Sequence, residues 1–308
     1  MTSLRIVFAG SPAAAVPSLK AVAASGHTVV STITRADSPQ GRRAVLTATP
    51  VATAAEELGI PVLRSNRLDA EITTEVSRLS PDLGVIVAFG GLVKQPLLST
   101  PRLGWINLHF SLLPRWRGAA PVQHAIMAGD DVTGATVFQL VPELDAGDVY
   151  GRMTQSIGAH QSAGGLLESL AESGAQLLVT VIDSIASGTA RAESQRGDVT
   201  LAPKLTVADG QVDWNRPASS IVNQIRGVTP EPGASAIVDG ARLKIVTAFV
   251  AHDVPRLEPG EFALVDKAVL VGTATDPIEL GTVHPAGRTA MDAASWWRGR
   301  SAAARSSS

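Results

Sequence analysis

Apolar residues in the first half of the chain follow two alternating rhythms. Short runs rich in Val and Ile (Leu4–Ala9, Thr28–Thr34, Leu83–Phe89, Trp105–Leu108 and Ala135–Val141) are bounded by Gly or Pro and read as strands. Between them, Ala13–Ser25, Val51–Leu58, Ala70–Leu79 and Ala119–Ala128 carry the wider spacing of helices. Strand runs that are apolar almost throughout, alternating with helices, predict a parallel sheet covered on both faces. The Ala/Leu stretch Leu166–Ile185 predicts a long helix closing this α/β domain.

From Ser187 the pattern changes. Residues 188–198 are polar and without periodicity, as suits a linker. Beyond them Ala234–Val238, Arg242–Val250, Glu261–Val265, Ala268–Val271 and Ile278–Val283 are short strand-like runs separated by turn residues. That spacing predicts a small antiparallel β domain, barrel or sandwich. The expected boundaries are 1–187 for the α/β domain, 188–208 for the linker and 209–308 for the β domain, with Ser301–Ser308 as a frayed tail.

Composition narrows the chemistry. The chain has 308 residues, 45% hydrophobic, with 4% aromatics, so its core is built from Ala, Val, Leu and Ile. A net charge of −2 argues against holding nucleic acid by bulk charge, and leaves local basic patches open. With no cysteine there is no disulfide, thiolate catalysis or Cys-bound metal, and the six histidines form no i,i+4 pair. A soluble, cytoplasmic protein is expected, because the longest apolar run, Gly84–Val93, is far shorter than the roughly 18 residues a membrane span requires. No two glycines stand two apart, no Gly-Lys pair occurs and no G-x-S-x-G is present. Those absences remove the dinucleotide fingerprint, the Walker loop and the nucleophile elbow.

The densest chemistry lies between Gly104 and Gly129. Asn107, His109 and Ser111 alternate, so a strand over 105–109 would turn them to one side near its C-terminal end. A buried, hydrogen-bonded core histidine would account for His109 alone. An Asn two residues earlier is costly to bury unless it is satisfied or used, which makes a site an equal alternative. Next, 113–121 holds two prolines, a glycine and two arginines around Trp116: a rigid turn or a shaped ligand wall. The segment 144–148 after the strand Ala135–Val141 would usually be a turn, with Asp145 as a candidate acid or base.

Taken together, Asn107-x-His109-x-Ser111-Leu112-Leu113-Pro114, Arg117-Gly118-x-Ala120-Pro121 and Asp145-x-Gly147-Asp148 resemble the formyltransferases that use 10-formyltetrahydrofolate. Within them the chain is most similar to the methionyl-tRNA formyltransferase family, through the opening Arg5–Pro12, a loop over Thr34–Arg42, and Asp213-Trp214, Ile225-Arg226 and His284–Arg288. Phe110 and Glu231 depart from the family's usual Gly and aromatic residue.

The resemblance implies a Rossmann-like catalytic domain, an OB-like C-terminal β-barrel domain that binds tRNA, and a monomer. It implies formyl transfer from 10-formyltetrahydrofolate to the α-amino group of methionyl-initiator tRNA, without a metal. Asn107, His109 and Asp145 would be catalytic: the first two donating to the formyl oxygen, Asp145 holding the His109 tautomer and relaying a proton. Ser111, Leu112, Leu113 and Pro114 would border the folate, and Arg42 and Arg43 would contact tRNA. Further basic candidates are Arg191, Arg196 and Lys204, and Arg288, Arg298, Arg300 and Arg305, each also readable as solvated surface. Two other readings remain open: a formyltransferase acting on an amino-sugar nucleotide, and a catalytically silent RNA-binding protein.

Overall fold

The computed structural model describes residues 3–41 and 44–300, which fall into two compact units. The first comprises the residues up to Pro121 together with Val132–Ser156 and Leu167–Ala202; the second comprises Val122–Asp131, Ile157–Leu166 and the residues from Pro203 onward. Arg42, Arg43 and Arg305, three of the candidate tRNA contacts, lie outside the described residues.

In chain order the first half reads β1 (Arg5–Gly10), α1 (Val16–Ala23), β2 (Thr28–Thr34), β3 (Ser38–Gln40), β4 (Val45–Thr47), α2 (Pro50–Glu57), β5 (Val62–Arg64), α3 (Ala70–Arg78), β6 (Leu83–Val87) and β7 (Trp105–His109). Then come β8 (Arg117–Gly118), α4 (Pro121–Ala128), β9 (Val132–Gln139), β10 (Val149–Ser156), α5 (Ala163–Ala186) and β11 (Leu201–Ala202). Seven strands form one sheet in the order β10-β9-β7-β6-β1-β2-β5. Five of them, β5 through β7 in that order, are parallel; β9 runs antiparallel to β7, and β10 to β9. The expected parallel sheet is therefore mixed. β6 is buried at every position and is easily read from the sequence, whereas β10 alternates polar and half-exposed residues as a sheet edge does.

Local signals start the helices. Thr49 caps α2 by accepting from the Ala52 amide at 3.1 Å, and Asp69 caps α3 by accepting from Glu71 and Ile72. Val7, Ala9, Ile33, Ile86 and Trp105 pack with Ile72 and Val76 of α3 in one buried cluster. By length and composition alone α5 could cross a membrane. Its buried residues Leu170, Leu178 and Ile182 nonetheless recur at helical spacing, and Gly174 lies against Leu108 of β7. That is the apolar stripe of a helix lying on a sheet, on the face opposite the side chains of Asn107 and His109.

The second unit adds α6 (Ala218–Gly227), β12 (Ala234–Val238), β13 (Ala241–Ile245), β14 (Ala248–Val250), β15 (Phe262–Val265), β16 (Ala268–Val271), β17 (Ile278–Leu280), β18 (Thr282–Pro285), β19 (Met291–Asp292) and α7 (Ala293–Arg298). Its strands make two four-stranded antiparallel sheets, β12-β13-β18-β19 and β14-β17-β16-β15. The runs 242–250 and 278–283, expected as single strands, each break in two, and the halves join different sheets. The breaks meet at Thr247 and Gly281, where Thr247 accepts from Gly281 through its carbonyl and from the Thr282 amide through its hydroxyl. Ile221, Ile225, Val269, Ile278, Val283 and Trp297 share one core.

Candidate active site

Register brings the site together. His109, the last residue of β7, pairs with Thr136 of β9, which pairs with Arg152 of β10. Directly paired residues project to the same side, so these three form a row across one face of the sheet, with Asn107 two residues before His109 on that face. The Ser111–Pro114 turn folds back over the row. The Thr136 hydroxyl donates to the Ser111 carbonyl at 2.6 Å and accepts from the Leu113 amide at 3.3 Å, and Arg152 donates to the Leu113 carbonyl at 3.3 Å. Leu113 packs with Phe138 and Val149.

This arrangement refines the roles expected of the turn. Ser111 is fully buried and its hydroxyl donates to the Arg115 carbonyl at 2.6 Å, so the side chain holds the turn and is not presented to a ligand. Leu113 and Pro114 are buried as well, leaving Leu112 half-exposed. Beside the turn is a cavity of about 470 Å³ lined by Leu113, Arg152, Glu193, Ser194 and Arg196.

His109 is buried, edge-on to Phe138, with Nε2 2.8 Å from the Trp116 carbonyl and Nδ1 3.9 Å from Asp145 Oδ2. A carbonyl only accepts, so Nε2 carries the hydrogen. Burial holds the His109 pKa below its ordinary value, opposed in part by the Asp145 carboxylate and by the bond to Trp116. The resting ring is therefore neutral, with a lone pair on Nδ1. The Trp116 carbonyl, rather than Asp145, sets the tautomer, which corrects the role expected of Asp145. Asn107 is half-buried, and its amide makes no hydrogen bond within the described residues.

Asp145 has φ +45°, a left-handed conformation that Asp tolerates better than most residues. Its Oδ2 accepts from the Gly118 amide at 2.8 Å. Gly118 has φ +128°, and a Cβ there would stand 2.6 Å from the Ala202 carbonyl, so only glycine fits. Gly147 is constrained in another way: a Cβ would collide with the Gln139 carbonyl.

One wall of the site escapes sequence reasoning except for Arg196, which the sequence offers only as a basic candidate for tRNA. Residues 193–202 lie within the stretch expected to link the domains. Here Glu193 exchanges two backbone hydrogen bonds with Val149, and β11 pairs in parallel with β8. The Thr200 hydroxyl accepts from the Trp116 amide at 2.8 Å, and Gln195 bonds to both the 145–147 loop and Arg117. A polar, aperiodic stretch offers no pattern from which such pairing could be read. Among the other basic candidates, Arg300 is ion-paired with Asp239 and lies over Trp296 and Trp297 with its side chain 7% exposed, which removes it from a tRNA surface.

Comparison with known proteins matches residues 4–182 to the formyl transferase family and 204–301 to the formyl transferase C-terminal domain. Methionyl-tRNA formyltransferase of Clavibacter sepedonicus is 57% identical over 296 residues, covering 96% of this chain and 97% of that protein. The chain belongs to the methionyl-tRNA formyltransferase family. Another member, from Leifsonia xyli subsp. xyli, is 56% identical over 298 residues, again covering 96% of this chain and 97% of that protein. Solved structures share the formyltransferase fold at lower identity. The N-formyltransferase of Helicobacter canadensis, in complex with folinic acid and dTDP-3-aminofucose, aligns with TM-score 0.67 at 16% identity over 90% of this chain and 98% of that one. HypX of Aquifex aeolicus, in complex with tetrahydrofolic acid, aligns with TM-score 0.62 at 17% identity over 96% of this chain and 47% of its own, so the chain spans about half of HypX.

Proposed function

We propose that this member of the family transfers the formyl group of 10-formyltetrahydrofolate to the α-amino group of methionyl-initiator tRNA in the bacterial cytoplasm. The observation that carries the reading is the neutral His109, with its Nδ1 facing Asp145, on the same strand face as an Asn107 amide with no hydrogen-bond partner among the described residues. Full-length relatives at 50–57% identity that bear the name of this activity support the choice of acceptor.

The folate supplies an activated formyl carbon. The Asn107 amide donates to the formyl oxygen, where negative charge develops as the amine attacks. His109 Nδ1 accepts the proton the amine sheds, because Nε2 is already committed to Trp116. The imidazolium so formed faces the Asp145 carboxylate, which stabilises it by charge at 3.9 Å. It gives its proton to N10 as the C–N10 bond breaks and the folate leaves as a neutral amine. Leu112 borders the folate, and Arg42 and Arg43 grip the tRNA.

The test is acceptor choice. Purified protein supplied with labelled 10-formyltetrahydrofolate should place label on Met-tRNA and leave an amino-sugar nucleotide unlabelled. Label on the sugar alone would move the chain to the other formyltransferase branch, and no folate-dependent turnover at all would leave only the RNA-binding reading.

A further inference from the structure

We propose that Gln195 is a positioning residue for formyl transfer, holding Asp145 at its working distance from His109; this rests on the reading of Asp145 as part of the reacting site. All the hydrogen-bonding capacity of its amide is used within one ring of residues. Nε2 donates to the Asp145 carbonyl at 2.8 Å and to the Gly147 carbonyl at 2.9 Å. Oε1 accepts from Arg117 Nη2 at 2.6 Å and Nε at 3.2 Å. Arg117 is bonded in sequence to Gly118, whose amide donates to Asp145 Oδ2. The ring closes: Asp145 is held by its side chain through Gly118 and by its backbone through Gln195, and Gln195 is itself bonded to Arg117, the neighbour of Gly118.

The ring answers a specific need. Asp145 occupies φ +45°, outside the usual backbone wells, and such a residue persists only where its surroundings over-determine it. The preceding Leu144 is exposed and offers the loop no buried anchor, so polar bonds must fix it. Glu193 and Ser194 bring Gln195 to the loop, through the backbone pair to Val149 and a Ser194 hydroxyl bond to Asp148 at 2.9 Å. A glutamine in this place offers two donor hydrogens for two carbonyls and an acceptor for a guanidinium, and so satisfies all three partners.

Steady-state kinetics with 10-formyltetrahydrofolate and Met-tRNA test the role. Gln195→Met, of similar length and with no polar amide, should lower kcat about 10- to 100-fold, the scale of a small misplacement at a reacting centre. KM for both substrates should stay within about twofold. Placed in an Asp145→Ala background, Gln195→Met should add no further loss, since both changes remove the same interaction. Gln195→Glu keeps the shape and the Arg117 pair but not the two donors, and should lose activity as Gln195→Met does. That variant also serves if Gln195→Met does not fold. Full activity in Gln195→Glu would mean that Gln195 only secures Arg117, and losses that multiply in the double variant would mean it acts apart from Asp145. Either result overturns the proposal. Full activity in Asp145→Ala would instead overturn the reading of Asp145, and the role of Gln195 with it.

Discussion

His109 Nδ1 and Asp145 Oδ2 stand 3.9 Å apart, within ion-pair reach and beyond that of a hydrogen bond. The carboxylate therefore stabilises a charge on the imidazole without fixing where its hydrogen sits. The two residues are poised for a proton that is not yet there.

The pH dependence of stability follows from the buried ring. Its folded pKa lies below the unfolded value of about 6.5. Between the two values the unfolded chain binds the extra proton, so stability falls as pH drops from about 6.5 towards the folded pKa. Above that window His109 contributes nothing to the slope. Urea midpoints at pH 7.5 and 5.5 should differ less in His109→Gln than in the wild type. Equal differences would show that the ring is accessible to protons in the folded state.

Catalysis should divide between the two polar partners. Asn107→Ala removes one donor to the developing oxyanion and should lower kcat by about 10²–10³ with tRNA affinity unchanged. Asp145→Asn should lower the plateau of kcat and also move its acid limb to lower pH, because the carboxylate raises the His109 pKa. A pH–kcat profile of unchanged shape and height would reduce Asp145 to a turn-former.

Thr136→Val tests the turn above the sheet. The hydroxyl is fully buried and serves Ser111 and Leu113 together, so its removal leaves a carbonyl and an amide unpaired at a cost of about 1–3 kcal/mol. Denaturant titration should show that loss, and KM for the folate should rise as the turn loosens. Stability equal to wild type would mean that the turn is held from elsewhere.

Gly118→Ala strikes the 193–202 segment. Its Cβ would stand 2.6 Å from the Ala202 carbonyl, at a φ that only glycine adopts readily. The backbone conformation alone should cost about 1–3 kcal/mol. Activity should fall further than stability does, because the Gly118 amide that binds Asp145 moves with it. Proportionate losses would separate this segment from the chemistry.

For Arg42 the expected contact is a phosphate of the tRNA. Arg42→Ala should weaken use of Met-tRNA, leave folate binding unchanged and reduce the slope of log affinity against log salt by about one unit. If the slope holds while initiator and elongator tRNA are discriminated less well, a base edge is the better partner.

The strands β1, β2, β6 and β7 could be read from the sequence because they are largely buried and rich in Val and Ile. The proposed trio stands out for a different reason: Asn107, His109 and Asp145 are costly residues to bury, and their spacing matches a family pattern. β10 was missed because an edge strand needs only one dry face. Gln195, Thr200 and Thr136 were missed because their importance lies in partners distant in the chain. Thr200 bonds Trp116 across 84 positions, and no local pattern encodes that pairing.

The 193–202 segment also sets an order of assembly. Asn107, His109 and the Ser111–Pro114 turn leave the ribosome long before Gln195, Thr200 and Ala202. Until those later residues arrive, the Trp116 amide lacks the Thr200 hydroxyl and the Asp145 carbonyl lacks its Gln195 donor. A nascent chain ending short of residue 202 would hold every group proposed to react and still have no finished site.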